Sequence, residues 1–427
     1  MAPLKVLIAG AGISGPAAVY WLSRLPSGAA ITVVERTQAA RPGGHQIDIR
    51  GHGITVMQRM GLEATMRANA VREEGTCLVR ADDKPVAALP AAPMDAARNN
   101  RQGITTEFEM MRGTMCKVLM DAAEGQATYR YGVHVTAMEE DTTGVAVTLS
   151  DGTSQRFDLV VGADGQGSGV RQLMLGEDAP SVYHPIGLYI AYFDIPRREG
   201  DRNWFTFYLA PGRRIINMRG GDRDTHQVML SVAARNPNTA TLAALLQGRA
   251  PVDEVKRAWA ELYRGAGWHA DRIADCLLDE GSTGNFYTHE LAQVRMDAWH
   301  TSRVALVGDA GWAPTPFTGI GSTIALVGVY VLAGELARNT GEDGTVHVPA
   351  ALGAYDERVR PYVTEAQNRL PKDGFNKGFF PPETRLGIWI LQTLLAIVVW
   401  TRLDRLLPWF ASDEIDWVLP DYPELGS

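Results

Sequence analysis

The chain has 427 residues, 45% of them apolar and 21% charged, which is typical of a globular protein with two or three cores. Its net charge of −8 and the lack of a long lysine/arginine run exclude the usual electrostatic signature of nucleic-acid binding. Cys77, Cys116 and Cys276 are scattered, so neither a disulfide framework nor a metal site is predicted. The sequence enters a strand pattern without a signal peptide, so a cytoplasmic setting is expected.

The first predicted elements are a strand, a helix and a second strand. KVLIAG is a short apolar strand, ISGPAAVYWLSRL carries apolar residues at helical spacing, and AITVVER is a second buried strand. Gly10, Gly12 and Gly15 place a G-x-G-x-x-G motif where the helix opens. These glycines permit a tight turn, close approach of a pyrophosphate and close packing of helix on strand. The pattern predicts a dinucleotide-binding βαβ unit.

A carboxylate follows this motif at the distance expected for ribose recognition. Glu35 lies 20 residues after Gly15, at the end of the second strand. There it can accept hydrogen bonds from ribose hydroxyls. Its negative charge disfavours the 2′-phosphate of NADP at this site, so NAD and FAD remain.

Later segments return to the same sheet. GVAVTLSDG and FDLVVGADG predict a hairpin and a buried strand, and RVALVGDAG repeats the strand pattern near residue 305. Between them, residues 179–285 alternate polar and apolar residues, which predicts an inserted antiparallel sheet with one wet face. Residues 78–102 are expected to join that sheet. The predicted fold class is α/β, a Rossmann-like domain with an inserted antiparallel sheet and a C-terminal helical segment.

The C-terminal helix is predicted from LGIWILQTLLAIVVW, residues 386–400, which are nearly all apolar. The stretch is shorter than the roughly 20 residues that span a bilayer. A packed helix is the main expectation. Association with a membrane surface is the alternative, because Arg385, Arg402 and Arg405 flank the segment.

Two further strand ends favour FAD over NAD. VVGADGQGSGVR places Asp164 and Gly165 after one strand, and RVALVGDAG places Gly308 and Asp309 after another. A flavin needs an acceptor for its ribityl hydroxyls, such as Asp309, and backbone N–H groups for the polar edge of its ring. A helix that opens after the next pair of glycines supplies those donors.

At this point the chain resembles the class A FAD-dependent aromatic hydroxylases, monooxygenases with the para-hydroxybenzoate hydroxylase fold. The motifs that carry the resemblance are GxGxxG with Glu35 and Arg36, GADG with Arg171, and GDA followed by Pro314, Pro316, Gly319 and Gly321. Within that class, RPGGHQIDIRG, MMRGTMCKVL, VGVYVLAGEL and YDERVRPYVTEAQ are similar to the tetracycline destructases. The chain departs from the class pattern at GDAGW, where Trp312 follows Gly311, and at Thr323 and Gly328.

The resemblance implies an FAD-binding domain at residues 1–77, 103–178 and 286–372, a substrate domain at 78–102 and 179–285, and a C-terminal helix or gate at 373–427. It implies that NADPH, or NADH, binds transiently and reduces FAD, and that O2 then enters flavin hydroperoxide chemistry without an assigned catalytic side chain. The implied substrate is a polycyclic aromatic or polyketide small molecule, with tetracycline-type antibiotics among the candidates. Monomer and homodimer both stay open.

The predicted site residues fall into two sets, with no metal. The cofactor-binding residues are Gly10, Gly12, Ile13, Ser14, Gly15, Glu35, Arg36, Asp48, Arg112, Asp164, Gly165, Gly308, Asp309, Pro316, Gly319 and Gly321. The substrate-pocket candidates are His45, Gln46, Trp204, Phe207, Arg213, Trp312 and Pro316. Alternative functions are Baeyer-Villiger oxygenation, hydroxylation in secondary-metabolite biosynthesis, a flavin reductase that inserts no oxygen, and an FAD-carrying binding protein.

Overall fold

A computed structural model describes residues 2–40, 43–91, 108–220, 224–370, 381–401 and 415–426. Its strands are β1 (Leu4–Ala9), β2 (Ala29–Glu35), β3 (Gln46–Asp48), β4 (Gly75–Val79), β5 (Pro85–Pro90), β6 (Glu109–Met111), β7 (Thr128–Tyr131), β8 (Val135–Glu140), β9 (Val145–Leu149), β10 (Ser154–Phe157), β11 (Leu159–Gly162), β12 (Tyr183–Pro196), β13 (Phe205–Ala210), β14 (Arg214–Arg219), β15 (Thr225–Ala233), β16 (Gly284–Val294) and β17 (Val304–Leu306). Its α-helices are α1 (Ser14–Leu22), α2 (His52–Arg59), α3 (Glu63–Ala68), α4 (Arg112–Ala122), α5 (Gly169–Leu175), α6 (Ala240–Gln247), α7 (Val252–Tyr263), α8 (Ala270–Leu278), α9 (Asp309–Trp312), α10 (Gly321–Arg338), α11 (Val348–Asn368) and α12 (Arg385–Trp400).

A parallel sheet of five described strands, in the order β17-β11-β1-β2-β7, forms the centre of the nucleotide-binding domain. Val6, Leu7 and Ile8 are consecutive and all fully buried, as expected for a strand covered on both faces. Helix α10 is long and apolar enough to cross a membrane, but 83% of it is buried, so it is the core helix of this domain. The predicted α/β fold class is confirmed.

The second large sheet has the order β16-β12-β15-β14-β13-β4-β5 among the described residues. Its pairs are antiparallel except that of β13 with β4, which is parallel, and β4 reaches the sheet from a much earlier part of the chain. The expectation of a wet face is wrong. Helices α6, α7 and α8 cover one face through a core that includes Val228, Leu230 and Trp259, and the other face is turned towards the nucleotide-binding domain.

The described end of the chain returns to the nucleotide-binding domain. Tyr422 donates a 2.6 Å hydrogen bond to the Glu335 carboxylate, and its ring lies where a Cβ on Gly334 would be, within 2.4 Å. Trp417 stacks on Tyr362 at 4.8 Å. The domain boundaries, and the gate at 373–427, stay predictions, and residues 92–102, 373–380 and 402–414 lie outside the described part.

Candidate active site

The glycine loop between β1 and α1 has the shape of a phosphate cradle. Gly10 has a φ of +106°, and a Cβ there would lie 2.5 Å from the Ala163 carbonyl oxygen. A Cβ on Gly15 would lie 2.0 Å from the Gly10 carbonyl oxygen. A Cβ on Gly12 would meet the Arg112 guanidinium at 3.6 Å, with no closer atom. The protein's own packing therefore requires Gly10 and Gly15, whereas Gly12 faces the side from which a pyrophosphate approaches.

Glu35 is tied to this loop by its carboxylate. One oxygen accepts a hydrogen bond from the Ala11 N–H at 2.9 Å, and the other accepts from the Thr37 N–H at 3.0 Å. The adjacent Arg36 is exposed. The carboxylate is thus fixed beside the cradle, where the predicted contact with ribose hydroxyls stays a prediction that this position supports.

The GADG segment is held by its own side chains. One oxygen of Asp164 accepts hydrogen bonds from the N–H groups of Gly169 and Val170 at the start of α5, at 2.8 and 3.2 Å. The other oxygen is buried without a hydrogen-bond partner among the described residues. Gly165 has a φ of +80° and open space where a Cβ would lie. Arg171 is fully buried and donates to the Ala310 carbonyl at 2.6 Å, which links this segment to α9.

Asp309 opens α9 on the same side of the sheet. Its side chain is exposed, although protein atoms surround it closely, so it lies inside an open cleft. Burial raises the pKa of Asp309, and the nearby charges of Arg112 and Arg171 oppose the rise. A Cβ on Gly308 would lie 2.5 Å from the Ser14 hydroxyl, which shows how closely α9 approaches α1.

The remaining predicted cofactor residues lie at the starts of α1 and α10. Ile13 and Ser14 are both 8% exposed in the first turn region of α1. Pro316 is exposed in the 3-10 turn before α10, Gly319 has a φ of +69°, and Gly321 is the first residue of α10.

Arg112 lies between the glycine loop and the loop at 43–48. Its guanidinium is next to Gly12, and its Cβ would be 3.1 Å from a Cβ on Gly44. Its backbone N–H donates to the His45 carbonyl at 3.1 Å. Arg112, the first residue of α4, therefore connects the glycine loop with the loop at 43–48, and its contact with a flavin stays a prediction that this position supports.

His45 and Gln46 face the second sheet. The His45 ring stacks on Tyr192 at 4.5 Å and 16°. Burial lowers the pKa of His45 to about 3, helped by the charge of Arg112, so the ring is neutral at neutral pH. The Gln46 N–H donates to the Gln227 side chain at 2.9 Å. Both polar atoms of the Gln46 amide are buried without a partner in the part of the chain that the structure describes.

Strand register places a row of side chains across the sheet opposite this loop. Pairing of β13, β14, β15, β12 and β16 aligns one residue from each strand: Phe207, Asn217, Met229, Tyr192 and Tyr287. The next row along the strands is Leu209, Ile215, Ser231, Ile190 and His289. We call these ten residues the sheet wall. Most of them are aromatic or aliphatic, and the Asn217 oxygen and the His289 Nδ1 are buried without hydrogen-bond partners among the described residues.

A buried ionic cluster joins the second sheet to the β3–β6 ribbon, which precedes Arg112 and which we call the flavin side. Arg219, at the end of β14, pairs with Glu73 at 2.6 Å and Glu109 at 2.5 Å. Glu109 opposes Asp48 in the β3–β6 ribbon, and Asp48 pairs with Arg50 at 2.5 Å. Burial raises the pKa of Glu109; Arg219 opposes that rise, and the charges of Asp48 and Glu73 add to it. We call these five residues the ionic cluster.

Three substrate-pocket predictions need correction. Trp204 has the strand parity opposite to Phe207, so it lies on the face covered by the helices and donates to Glu74 at 2.7 Å. Arg213 lies in the β13–β14 turn and pairs with Glu383 at 3.0 Å. Trp312 is 1% exposed in the core of the nucleotide-binding domain, where it packs against Trp299 and Tyr355.

Residues that sequence reasoning missed complete the site. Tyr192 and Asn217 were not singled out, although the alternation of GLYIAYFDI and of RIINMR assigns each of them a face. An arginine at the end of a strand is usually solvated, yet the Arg219 side chain is only 14% exposed. Glu109 stands three residues before Arg112, but no local pattern signals that it meets a strand more than a hundred residues away.

Comparisons with known proteins agree with this geometry. The model of the family described as FAD binding domain matches residues 3–369. The chain is 35% identical to the FAD-dependent monooxygenase asL4 and 34% identical to asL6, both of Sarocladium schorii, over 100% and 99% of this chain and 99% of each relative. The crystal structure of tetracycline destructase Tet(51) is 27% identical, covers 98% of this chain and 99% of its own, and superposes with a TM-score of 0.74.

Proposed function

Since this chain belongs to the FAD binding domain family and is an FAD-dependent monooxygenase, we propose that its substrate is a flat, oxygen-rich polycyclic phenol or enol of the polyketide type. The observation that carries the proposal is the make-up of the sheet wall. Aromatic and aliphatic side chains of the sheet wall accompany polar atoms of Asn217 and His289 that lack partners among the described residues. The amide of Gln46, whose backbone N–H bonds to Gln227 of the same sheet, is also buried without a partner among them. A ligand with several ring oxygens would satisfy these atoms.

The residues around the glycine loop fit FAD. Gly12 leaves room for the pyrophosphate, and Glu35 would accept hydrogen bonds from the ribose hydroxyls. Asp309 is exposed and would accept hydrogen bonds from the ribityl hydroxyls. When bound, FAD supplies the transfer of electrons from NAD(P)H to O2 and of one oxygen atom to the substrate. Arg112 would hold the ring side of the cofactor, because it connects the glycine loop with the loop of His45.

The protein's own part in the reaction is orientation and exclusion of water. Burial lowers the pKa of His45 to about 3 and that of His289 to about 4, so both rings are neutral at neutral pH. A neutral imidazole can accept a hydrogen bond from a phenol or enol hydroxyl. Phe207, Met229 and Tyr192 would cover the apolar faces of the rings and keep water away from the reacting carbon.

The proposal is tested with the FAD-loaded protein, O2, and NADPH or NADH. NAD(P)H oxidation is followed without ligand, with tetracycline, and with polycyclic and monocyclic phenols, and products are collected under isotopically labelled O2. We expect polycyclic ligands to stimulate oxidation and to gain one labelled oxygen atom. Asn217→Leu and His289→Leu should raise KM for the oxygenated ligands, whereas Trp204→Phe, on the opposite face of the sheet, should not.

Each outcome bears on the proposed substrate. Stimulation by monocyclic phenols alone, or oxidation that yields only peroxide with every polycyclic ligand, would overturn it. Hydroxylation and Baeyer-Villiger oxygenation both add one oxygen atom, so product mass does not distinguish them. The structure of the product does.

A further inference from the structure

The C-terminal helix α12 exposes more large apolar side chains than any other described helix. Ile388 is its one buried residue among those described, at 7% exposure. The large apolar side chains that are exposed are Leu386, Trp389, Ile390, Leu394, Ile397 and Trp400. Trp389 is 62% exposed and Trp400 is 85% exposed. We call this surface the α12 face.

The contrast with α10 shows that composition alone does not explain this exposure. Both helices are strongly apolar, but α10 is 83% buried in the core of its domain. Helix α12 contacts the protein through Ile388 and Leu391, which pack on Leu209, Ile215 and Leu78 of the second sheet. That contact covers a narrow strip, and an exposed apolar surface of this size marks an interaction site in a folded protein.

We propose that the α12 face inserts into the interface of a phospholipid membrane with the helix parallel to the surface. The helix has 16 residues, which corresponds to about 24 Å and falls short of the ~30 Å hydrocarbon thickness. A tryptophan near each end of the face suits the boundary between headgroups and acyl chains. The helix lies in the plane rather than across the bilayer.

Charge selects a lipid surface over a second copy of the chain. Arg385 opens the helix, and Arg402 and Arg405 follow it. The nearest acidic residues are Glu383, which pairs with Arg213, and Asp404, so both ends keep an excess of positive charge. In a twofold antiparallel pair, the Arg385 end of one helix would meet the arginine-flanked end of the other, which is a repulsive arrangement. Anionic phosphate headgroups neutralise both ends. Because the whole chain carries −8, apolar insertion rather than net charge has to provide most of the attraction.

The position of α12 would place the proposed substrate site close to the membrane. Leu209 and Ile215, on which the helix packs, belong to the sheet wall. An apolar polycyclic molecule dissolved in the membrane would therefore leave it close to the face of the sheet that the proposed function assigns to substrate. Membrane binding itself is independent of that assignment and is measured without substrate.

The experiment is vesicle flotation of the full-length, FAD-loaded protein. Vesicles are made from phosphatidylcholine with and without phosphatidylglycerol, and each is tested at low and high salt. Trp389→Ser and Trp400→Ser are compared with Val252→Ser and Leu278→Ser, which alter apolar side chains outside α12 that are 53% and 51% exposed. FAD content and NAD(P)H oxidation in solution show that each variant is folded.

We expect the unaltered protein to float, more strongly with phosphatidylglycerol and less at high salt. Each tryptophan variant should partition about tenfold more weakly, a factor equal to ~1.4 kcal/mol, because a large apolar side chain no longer inserts. The control variants should float like the unaltered protein. Failure of the unaltered protein to float, or equal flotation of the tryptophan variants, overturns the proposal. So does a dimer that dissociates in the tryptophan variants while no variant binds vesicles.

Discussion

Replacement of Arg219 by methionine tests whether the ionic cluster fastens the second sheet to the flavin side. The change removes the guanidinium from between Glu73 and Glu109, whose side chains are 1% and 6% exposed. Removal of one partner from a buried ion pair costs about 3–5 kcal/mol, since the remaining charge is left without compensation. We expect a loss near the lower end, ~3 kcal/mol, because the raised pKa of Glu109 lets that carboxyl keep its proton.

The measurement is urea unfolding of the FAD-loaded protein, followed by circular dichroism and by flavin fluorescence. Arg213→Met is the matched control, because the Glu383 partner of Arg213 is 62% exposed and such pairs contribute at most ~1 kcal/mol. Glu73→Gln in the Arg219→Met background should recover part of the loss. A cost below about 1 kcal/mol for Arg219→Met, equal to that of the control, would refute the fastening role.

Three further predictions concern the cofactor cradle and the cluster. Gly15→Ala should lower the stability of the apoprotein, since its Cβ would lie 2.0 Å from a backbone oxygen, whereas Gly12→Ala should keep apoprotein stability and weaken FAD binding; equal thermal midpoints for the two apoproteins would contradict this. Glu109→Gln should remove a loss of stability between pH 4.5 and about 8: the folded pKa of about 8 lies above the ordinary 4.5, so the contribution of the proton is complete below pH 4.5 and disappears as pH rises through about 8. Urea midpoints measured from below pH 4.5 to above pH 8 check it, and parallel curves for the two proteins would refute it. Asp309→Ala should yield folded protein without yellow colour, and full flavin occupancy by absorbance would contradict the assigned contact.

The local part of the site could be predicted from the sequence because its signals are local. The glycines of the loop and Glu35 lie within one βαβ unit, where spacing fixes geometry. The sheet wall could be predicted only in part from the sequence. Strand parity separates Trp204 from Phe207, but parity alone does not tell which face of the sheet meets the flavin. The ionic cluster could not be predicted from the sequence, since packing of two sheets brings together residues 48, 73, 109 and 219.

The chain is attached to the rest of the protein both before and after α12, because its described end returns to the nucleotide-binding domain. Before the helix, the Gly212 N–H donates to the Glu383 carbonyl at 2.7 Å, and after it Tyr422 is locked against Gly334. The segment before α12 is thus attached to the second sheet, and the segment 415–426 after it is attached to α10. Deletion from residue 382 onward would remove the predicted gate and would also take Tyr422 out of the core. Excision of residues 386–400 alone leaves Tyr422 in place. It therefore separates the effect of losing α12 from the effect of damaging the first domain.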